Sequence, residues 1–480
     1  MKKARIIATL GPASNKLSII ESMAKAGMNV CRLNFSFGTK EEHLEMIAKI
    51  RQASKNIGKS LAIMQCLQGP KIRIGKLKNP VTVKKGQEII LSGNRNHDCE
   101  FTFPTTYSQI ASDTEPGKKI LIADGRVILK VIESYPDKKE VKCKVIEGGT
   151  ILTGKGINLP YTKISLPTLT EKDIEDAKFG AKAKVDYISF SFVRKGSDIV
   201  QLRKLLDNNG GKQIPIIAKI EKPEAVENID EIIKESNGIM IARGDLADEL
   251  SFAKVPIVQK EIIKKANKKG KITIIATEML SSMVDNQLPT RAEVSDVANG
   301  IFDGSDVVML SNETAMGEFP VLAVKTMSDI VIEAENAFID EPFYNDLELP
   351  DVHKLNEALC SAAAHLSYDL NNDAIAIFTR SGLTAQILSK YRPDCTIFAA
   401  TNRKRTYYKL AFSHGIFPIL LEDKIFKNEK ANAKAIPVLI NQLTERRLIN
   451  KSRNLIVIAG DFSEGRWKIN TIKVMKLQYS

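Results

Sequence analysis

The chain has 480 residues, enough for about three domains, with 43 % hydrophobic and 26 % charged residues, the balance of ordinary globular protein. Its 70 Lys and Arg against 57 Asp and Glu leave a net charge of +13. The basic residues alternate with acidic ones and only 6 % of residues are aromatic, so a solvated basic surface is expected and a nucleic-acid partner is not.

In chain order, short apolar strands are predicted over 4–10, 28–35, 60–67, 185–192, 214–221, 238–245, 272–279 and 306–311. Between most of them lie helix-period stretches, at 16–26, 41–54, 197–206, 225–236 and 255–268. Eight strands alternating with helices predict a parallel sheet closed into a (β/α)8 TIM barrel. The step Thr290-Arg291-Ala292-Glu293 reads as a capping box that starts a helix. From 70 to 166 the chain turns β-rich, with strands expected at 81–83, 88–91, 119–122, 127–131 and 141–145. This stretch is expected to be a β-barrel-like lid inserted after the third barrel strand. Residues 1–69 and 167–340 would form the barrel, and 341–480 a C-terminal α/β domain.

No apolar run approaches the roughly 18 residues of a membrane span, so no membrane partner is expected. The start, Met1-Lys2-Lys3-Ala4-Arg5, lacks the apolar core of a signal peptide. The six cysteines are scattered without a Cys-x-x-Cys pair, which points to a reducing, cytoplasmic setting rather than disulfides or zinc. No P-loop is present: Gly58-Lys59-Ser60 has Ala53 where the earlier glycine would stand.

A barrel of this kind carries its reacting groups at the carboxyl ends of its strands. Those ends hold Arg32, Asn34 and Ser36, then 66–73, then Lys219 with Glu221, then Arg243, Gly244 and Asp245. Thr277, Glu278, Ser311 and Glu313 complete the ring. Such charges are costly at the ends of apolar strands unless they pair with each other or with a ligand. Glu221 and Asp245 are oxygen donors suited to Mg²⁺. Arg32, Arg73 and Lys219 supply the positive charge that phosphate needs. The combination predicts Mg²⁺-dependent phosphoryl or enolate chemistry and leaves the substrate open.

An ordered series of motifs then narrows the choice. It includes RIIATLGPAS (5–14), AGMNVCRLNFSFG (26–38), GPKIRIG (69–75), GKGINLP (154–160), AKIEKPEAVENIDEI (218–232), MIARGDL (240–246), IATEMLSSM (275–283), PTRAEVSDVANGIFDGSDVVML (289–310) and SNETA (311–315). The chain resembles the pyruvate kinases along essentially its whole length. The resemblance implies transfer of a phosphoryl group from phosphoenolpyruvate to ADP, giving pyruvate and ATP, with Mg²⁺ or Mn²⁺. By motif, Lys219 would stabilise the transferring group, and Glu221 and Asp245 would hold the metal. The backbone of Gly244 and Asp245, with the Thr277 hydroxyl, would take the substrate carboxylate, and Arg32 and Arg73 the phosphates. Ser311 would lie on the proton path, Asn34, Arg73 and Lys155 would meet the nucleotide, and Asp124 would help with its metal. A homotetramer is likewise implied, as is a sugar-phosphate effector at Thr379, Arg380, Ser381, Gly382 and Thr384. Arg466 and Lys468, in the last polar loop, would assist that effector.

Four departures stand out. Where potassium-dependent members carry D-T-K-G-P-E-I-R, this chain has Cys66-Leu67-Gln68-Gly69-Pro70-Lys71-Ile72-Arg73. Cys66 and Leu67 cannot ligate a hard cation, and the Lys71 ammonium can supply the charge that K⁺ would bring. The enzyme is therefore expected to need no monovalent cation. Phe37 replaces the usual His, and Asn312 the usual Gly beside Ser311. Ala247-Asp248 replaces Gly-Val. The alternative reading is a weakened paralogue that binds phosphorylated metabolites without turnover.

Overall fold

The computed structural model describes residues 2–94, 101–123, 125–337, 347–348, 354–370, 374–422, 431–449, 454–463 and 466–477. Eight strands, most of them nearly continuous in apolar residues, close into a barrel: β1 (Arg5–Thr9), β2 (Val30–Asn34), β3 (Ala62–Cys66), β4 (Tyr187–Phe190), β5 (Ile216–Ile220), β6 (Gly238–Ala242), β7 (Ile272–Ala276) and β8 (Val307–Leu310). All neighbours are parallel, and β3 pairs directly with β4 although 120 residues of chain separate Cys66 from Tyr187. The barrel therefore closes across the insertion.

The strands are buried on both faces, as parallel strands covered by helices must be. Their inward side chains, among them Ile7, Met64, Ile217, Met240 and Ile274, fill the barrel. Phe412 of the C-terminal part plugs its amino-terminal end, its ring 4.0 Å from that of Tyr187. The helix start expected at Thr290 is present: its hydroxyl accepts from the Glu293 amide and Glu293 returns a bond to the Thr290 amide. The helix expected over 225–236 is two helices, Pro223–Glu227 and Ile229–Glu235. Asn228 ends one and begins the next while its side chain donates to the Arg194 carbonyl at 3.0 Å.

Between β3 and β4 lies a six-stranded sheet in the order Ile157–Asn158, Lys119–Ile122, Val127–Tyr135, Glu140–Glu147, Glu88–Ser92, Thr102–Pro104. A separate pair joins Gly149–Ile151 to Val81–Val83. The C-terminal sheet runs Ile416–Leu420, Thr396–Thr401, Ala374–Phe378, Asn454–Ser463, Arg466–Lys476. The stretch with Arg466 and Lys468 was expected to be a loop, and it is instead the edge strand, antiparallel to Asn454–Ser463.

The C-terminal sheet is fastened to the barrel by a buried cluster. Asp306, at the start of β8, accepts from Lys390 Nζ at 2.5 Å, Arg392 Nη2 at 2.8 Å and the Thr273 amide at 2.9 Å. Burial alone would raise the Asp306 carboxyl, but the two cations outweigh it and hold the group below its ordinary value. A carboxyl so lowered adds stability above its unfolded pKa and loses it as pH falls through the folded one. Asp306→Asn should therefore cost about 3–5 kcal/mol by leaving two buried cations uncompensated. The check is the urea midpoint at pH 7, which should drop while the acid sensitivity of the wild type diminishes.

Candidate active site

Lys219 and Glu221 flank the end of β5, and the next barrel positions bring their partners. Lys219 Nζ donates to Glu221 Oε1 at 2.5 Å and to Ser191 Oγ at 3.1 Å. Burial would strip charge from this ammonium, but Glu221 and then Cys66 outweigh it and raise its pKa above the ordinary 10.5. Glu221 is fully buried, and its second oxygen accepts from the Phe192 amide at 2.7 Å. The amide and the ammonium supply the hydrogen bonds without which a buried carboxylate would be costly.

Asp245 follows β6 in the short helix Arg243–Glu249 rather than on the strand itself, which ends at Ala242. Its Oδ1 accepts from Lys71 Nζ at 3.0 Å. Burial would raise this carboxyl, and Lys71 and Lys219 bring it below the ordinary range. Lys71 reaches Asp245 because the turn before it is pinned. Gly69 has φ +70°, and a Cβ there would come within 2.8 Å of the Phe192 ring and 3.0 Å of Ser191 Cβ. Its amide also donates to Asp173 Oδ1 at 3.1 Å. Only glycine tolerates both the left-handed backbone and the close approach.

Arg32 donates to Thr9 Oγ1 at 3.1 Å and to Cys66 Sγ at 3.4 Å, while its Nε is buried with no partner among the described residues. Burial would raise the Cys66 thiol, yet Arg32 and Lys219 draw it below its ordinary value. The other four described cysteines are buried and shifted the opposite way. At the end of β7, Thr277 and Glu278 have φ of +71° and +54°. Such a backbone costs a β-branched residue about 1–3 kcal/mol. It is held by the Gly244 amide, which donates to Thr277 Oγ1 at 2.9 Å, and by Arg243, which donates to the Thr277 carbonyl at 2.9 Å.

The geometry thus brings Arg32, Lys71, Lys219, Glu221 and Asp245 into one electrostatic cluster, with Thr277 tied to Gly244 beside it. Ser311 is not bonded into that cluster: its amide donates to Glu313 Oε2 at 2.7 Å, and Glu313 also accepts from the Leu280 amide. Asn34 accepts from the Ser36 amide at 3.2 Å. Arg73 leaves the barrel and donates to the Gly154 carbonyl at 2.9 Å, next to the exposed Lys155. Phe37 is 67 % exposed, and its carbonyl meets the His43 ring. Asp124 lies outside the described residues. In the C-terminal part, Thr379 Oγ1 accepts from the Gly382 amide at 2.9 Å and Ser381 Oγ from the Leu383 amide at 3.3 Å, so both hydroxyls shape the loop before helix Leu383–Lys390.

Two groups of residues were not anticipated. Ser189 and Ser191 stand at the end of β4 and touch Cys66 and Lys219; hydroxyls at a strand end, read as at the other strands, would have marked them. Lys222 donates to Glu249 Oε1 at 2.6 Å, and Asn158 of the inserted sheet donates to the same oxygen at 3.3 Å. Nothing in the sequence connects positions so far apart.

Two half-buried or buried carboxylates fit a hard cation, whose remaining positions would go to water or substrate oxygens. Among the described residues no group of three or more His, Cys, Asp and Glu side chains converges, so no closed metal cage is formed.

Fold and site together define a (β/α)8-barrel enzyme with cations and paired carboxylates at the carboxyl end of its strands. Residues 1–324 match the family described as pyruvate kinase, barrel domain, and residues 357–475 match pyruvate kinase, alpha/beta domain. The chain is 42 % identical to a pyruvate kinase of Staphylococcus haemolyticus over 94 % of its own length and 77 % of the relative's. It is 43 % identical to one of Staphylococcus saprophyticus over 90 % and 75 %, and 40 % identical to one of Staphylococcus aureus over 96 % and 78 %. The chain belongs to the pyruvate kinase family.

Proposed function

We propose that Lys219 is the residue around which this enzyme transfers the phosphoryl group of phosphoenolpyruvate to ADP, the reaction of its family, with pyruvate and ATP as products. The observation that carries this reading is the Lys219 ammonium, buried, charged, and held by Glu221 and Ser191. Phosphoryl transfer depends on positioning and on neutralising charge that develops in the transition state, and a fixed buried ammonium does both. Glu221 and Asp245 would hold Mg²⁺ or Mn²⁺. When bound, the cation supplies charge neutralisation at the phosphoryl and enolate oxygens. Arg32, whose Nε lacks a partner among the described residues, has donor capacity for a phosphate oxygen. The backbone of Gly244 and Asp245, with the Thr277 hydroxyl, would seat the carboxylate; the 2.9 Å bond from the Gly244 amide to Thr277 Oγ1 keeps these groups together. Ser311 would deliver the proton to the enolate carbon, and Asn34, Arg73 and Lys155 would meet the nucleotide.

Lys71 would take the place of a monovalent cation, which its ammonium 3.0 Å from Asp245 supports. Initial velocities of pyruvate formation with Mg²⁺, in potassium-free and potassium-containing buffer, test both readings. Equal turnover in the two is expected. Turnover only with K⁺ would remove the role given to Lys71, and none in either would favour a paralogue that binds without reacting.

Residues 70–166 would act as a lid over a barrel of 1–69 and 167–340, with 341–480 as a C-terminal domain that takes an effector at Thr379, Arg380, Ser381, Gly382 and Thr384. A homotetramer in the cytoplasm is the proposed working form, the latter supported by cysteines without Cys-x-x-Cys spacing. Lid closure would be held by the bond from Asn158 to Glu249 and by Tyr161, whose hydroxyl donates to the Leu250 carbonyl at 2.9 Å. Asn158→Ala should lower kcat/KM for ADP by about two- to tenfold, the net worth of one ordinary hydrogen bond. Steady-state kinetics at fixed phosphoenolpyruvate would show it, with the melting temperature nearly unchanged.

A further inference from the structure

The barrel interior changes character at its carboxyl end. Ile7, Val30, Met64, Tyr187 and Ile217 belong to the cluster that fills it, one from each of β1 to β5. Side chains two residues further along a strand return to the same face, and those positions hold Thr9, Arg32, Cys66, Ser189 and Lys219. A polar layer thus closes the core, and all of it except Arg32 is buried. Thr9 stands beside Arg32 in the register of β1 and β2, and Cys66 beside Ser189 in that of β3 and β4. Cys66 therefore lies on the strands between Arg32 and Lys219.

A guanidinium offers its N–H donors in a fixed fork. Arg32 Nη1 donates to Thr9 Oγ1 at 3.1 Å and Nη2 to Cys66 Sγ at 3.4 Å, while Nε is buried without a partner among the described residues. Neither acceptor is a carboxylate. Other cations at this end of the barrel are paired with one: Lys71 with Asp245 at 3.0 Å, Lys219 with Glu221 at 2.5 Å and Arg243 with Asp296 at 2.7 Å. Arg32 is thus held in place while its charge is left for an anion. The sulfur is itself fixed, because it donates to Ser189 Oγ at 3.8 Å. Cys143 and Cys360, by contrast, donate to backbone carbonyls and meet no guanidinium.

We propose that Cys66 is a positioning residue: by accepting from Arg32 Nη2 it sets the guanidinium for the phosphate of phosphoenolpyruvate. The inference rests on the reading of Arg32 as a phosphate-binding group and says what makes that group ready. An arginine stem has several rotatable bonds, and ordering it before the substrate arrives removes that entropy cost from binding. Without the sulfur, Nη2 loses its partner and Thr9 is the anchor that remains among the described residues. Packing alone would be served by any apolar side chain at position 66, and would not need an acceptor directed at a guanidinium.

Phosphoenolpyruvate binding to the full chain with Mg²⁺, measured by isothermal titration calorimetry beside steady-state kinetics, tests this. Cys66→Ala should raise Kd and KM for phosphoenolpyruvate about three- to tenfold, the net worth of one hydrogen bond. The loss should fall there rather than on kcat or on KM for ADP, as expected when a ground-state contact to one substrate is loosened. Cys66→Val fills the site without an acceptor and should behave as the alanine variant does, so a folding defect in one leaves the other to decide. Cys66→Ser, whose hydroxyl also accepts, should recover most of the loss. In an Arg32→Met background Cys66→Ala should cost nothing further, because the sulfur acts through that arginine. Unchanged Kd in the alanine and valine variants, a serine variant as weak as alanine, or the same loss in the Arg32→Met background would each overturn the proposal, and wild-type turnover would still leave the catalytic reading standing. A wild type that binds no phosphoenolpyruvate would overturn the reading of Arg32 and this proposal with it.

Discussion

Replacing Lys219 with Met should lower kcat by about 10²–10³-fold, the usual loss when one preorganised donor to developing charge is removed. Methionine keeps the stem's volume and flexibility, so packing at the end of β5 should survive. Glu221 loses its 2.5 Å partner but retains the Phe192 amide at 2.7 Å. The loss should fall on kcat rather than on KM for phosphoenolpyruvate, because the ammonium is proposed to act on charge that appears only in the transition state. Far-ultraviolet circular dichroism and the melting temperature establish that the variant is folded. Undiminished turnover in a folded variant would remove Lys219 from the chemistry.

The barrel was legible because parallel strands buried on both faces leave near-continuous apolar runs, such as Ile272–Ala276, that no amphipathic helix produces. Charges placed at the ends of such runs are conspicuous, and that made Lys219, Glu221 and Asp245 readable. The edge strand Arg466–Lys476 was read as polar loop for a physical reason. It pairs with a strand on one side only among the described residues, and the register shifts between Ala459 and Gly460 of its partner, so simple alternation is interrupted. Contacts across the fold were the least legible. The bond from Arg32 to Cys66 joins β2 to β3, and the bond from Asn158 to Glu249 joins residues 91 positions apart. Both follow from barrel closure and from how the inserted sheet sits on the barrel, which local sequence pattern does not encode.

Lys71→Glu should convert an enzyme indifferent to K⁺ into one that responds to it. The side chain at 71 faces Asp245, and the native contact is an ammonium 3.0 Å from a carboxylate oxygen. A glutamate there sets two carboxylates against each other, which raises the pKa of one of them and weakens its hold on a cation. Turnover in potassium-free buffer should drop by about two orders of magnitude, comparable to loss of a transition-state charge. Added K⁺ can bind between the two oxygen donors and restore part of the activity. Lys71→Met makes the contrast decisive: it removes the ammonium without adding an oxygen ligand, so turnover should fall and K⁺ should bring nothing back. Cys66 and Leu67, next to this position, offer the ion no hard ligand either. Rescue in the Glu variant should therefore be incomplete and require high K⁺. Initial velocities for wild type and both variants across a potassium series, at constant ionic strength, separate the cases. A wild type that is activated by K⁺, or a Met variant that turns over normally, would show that the Lys71 charge has no such role.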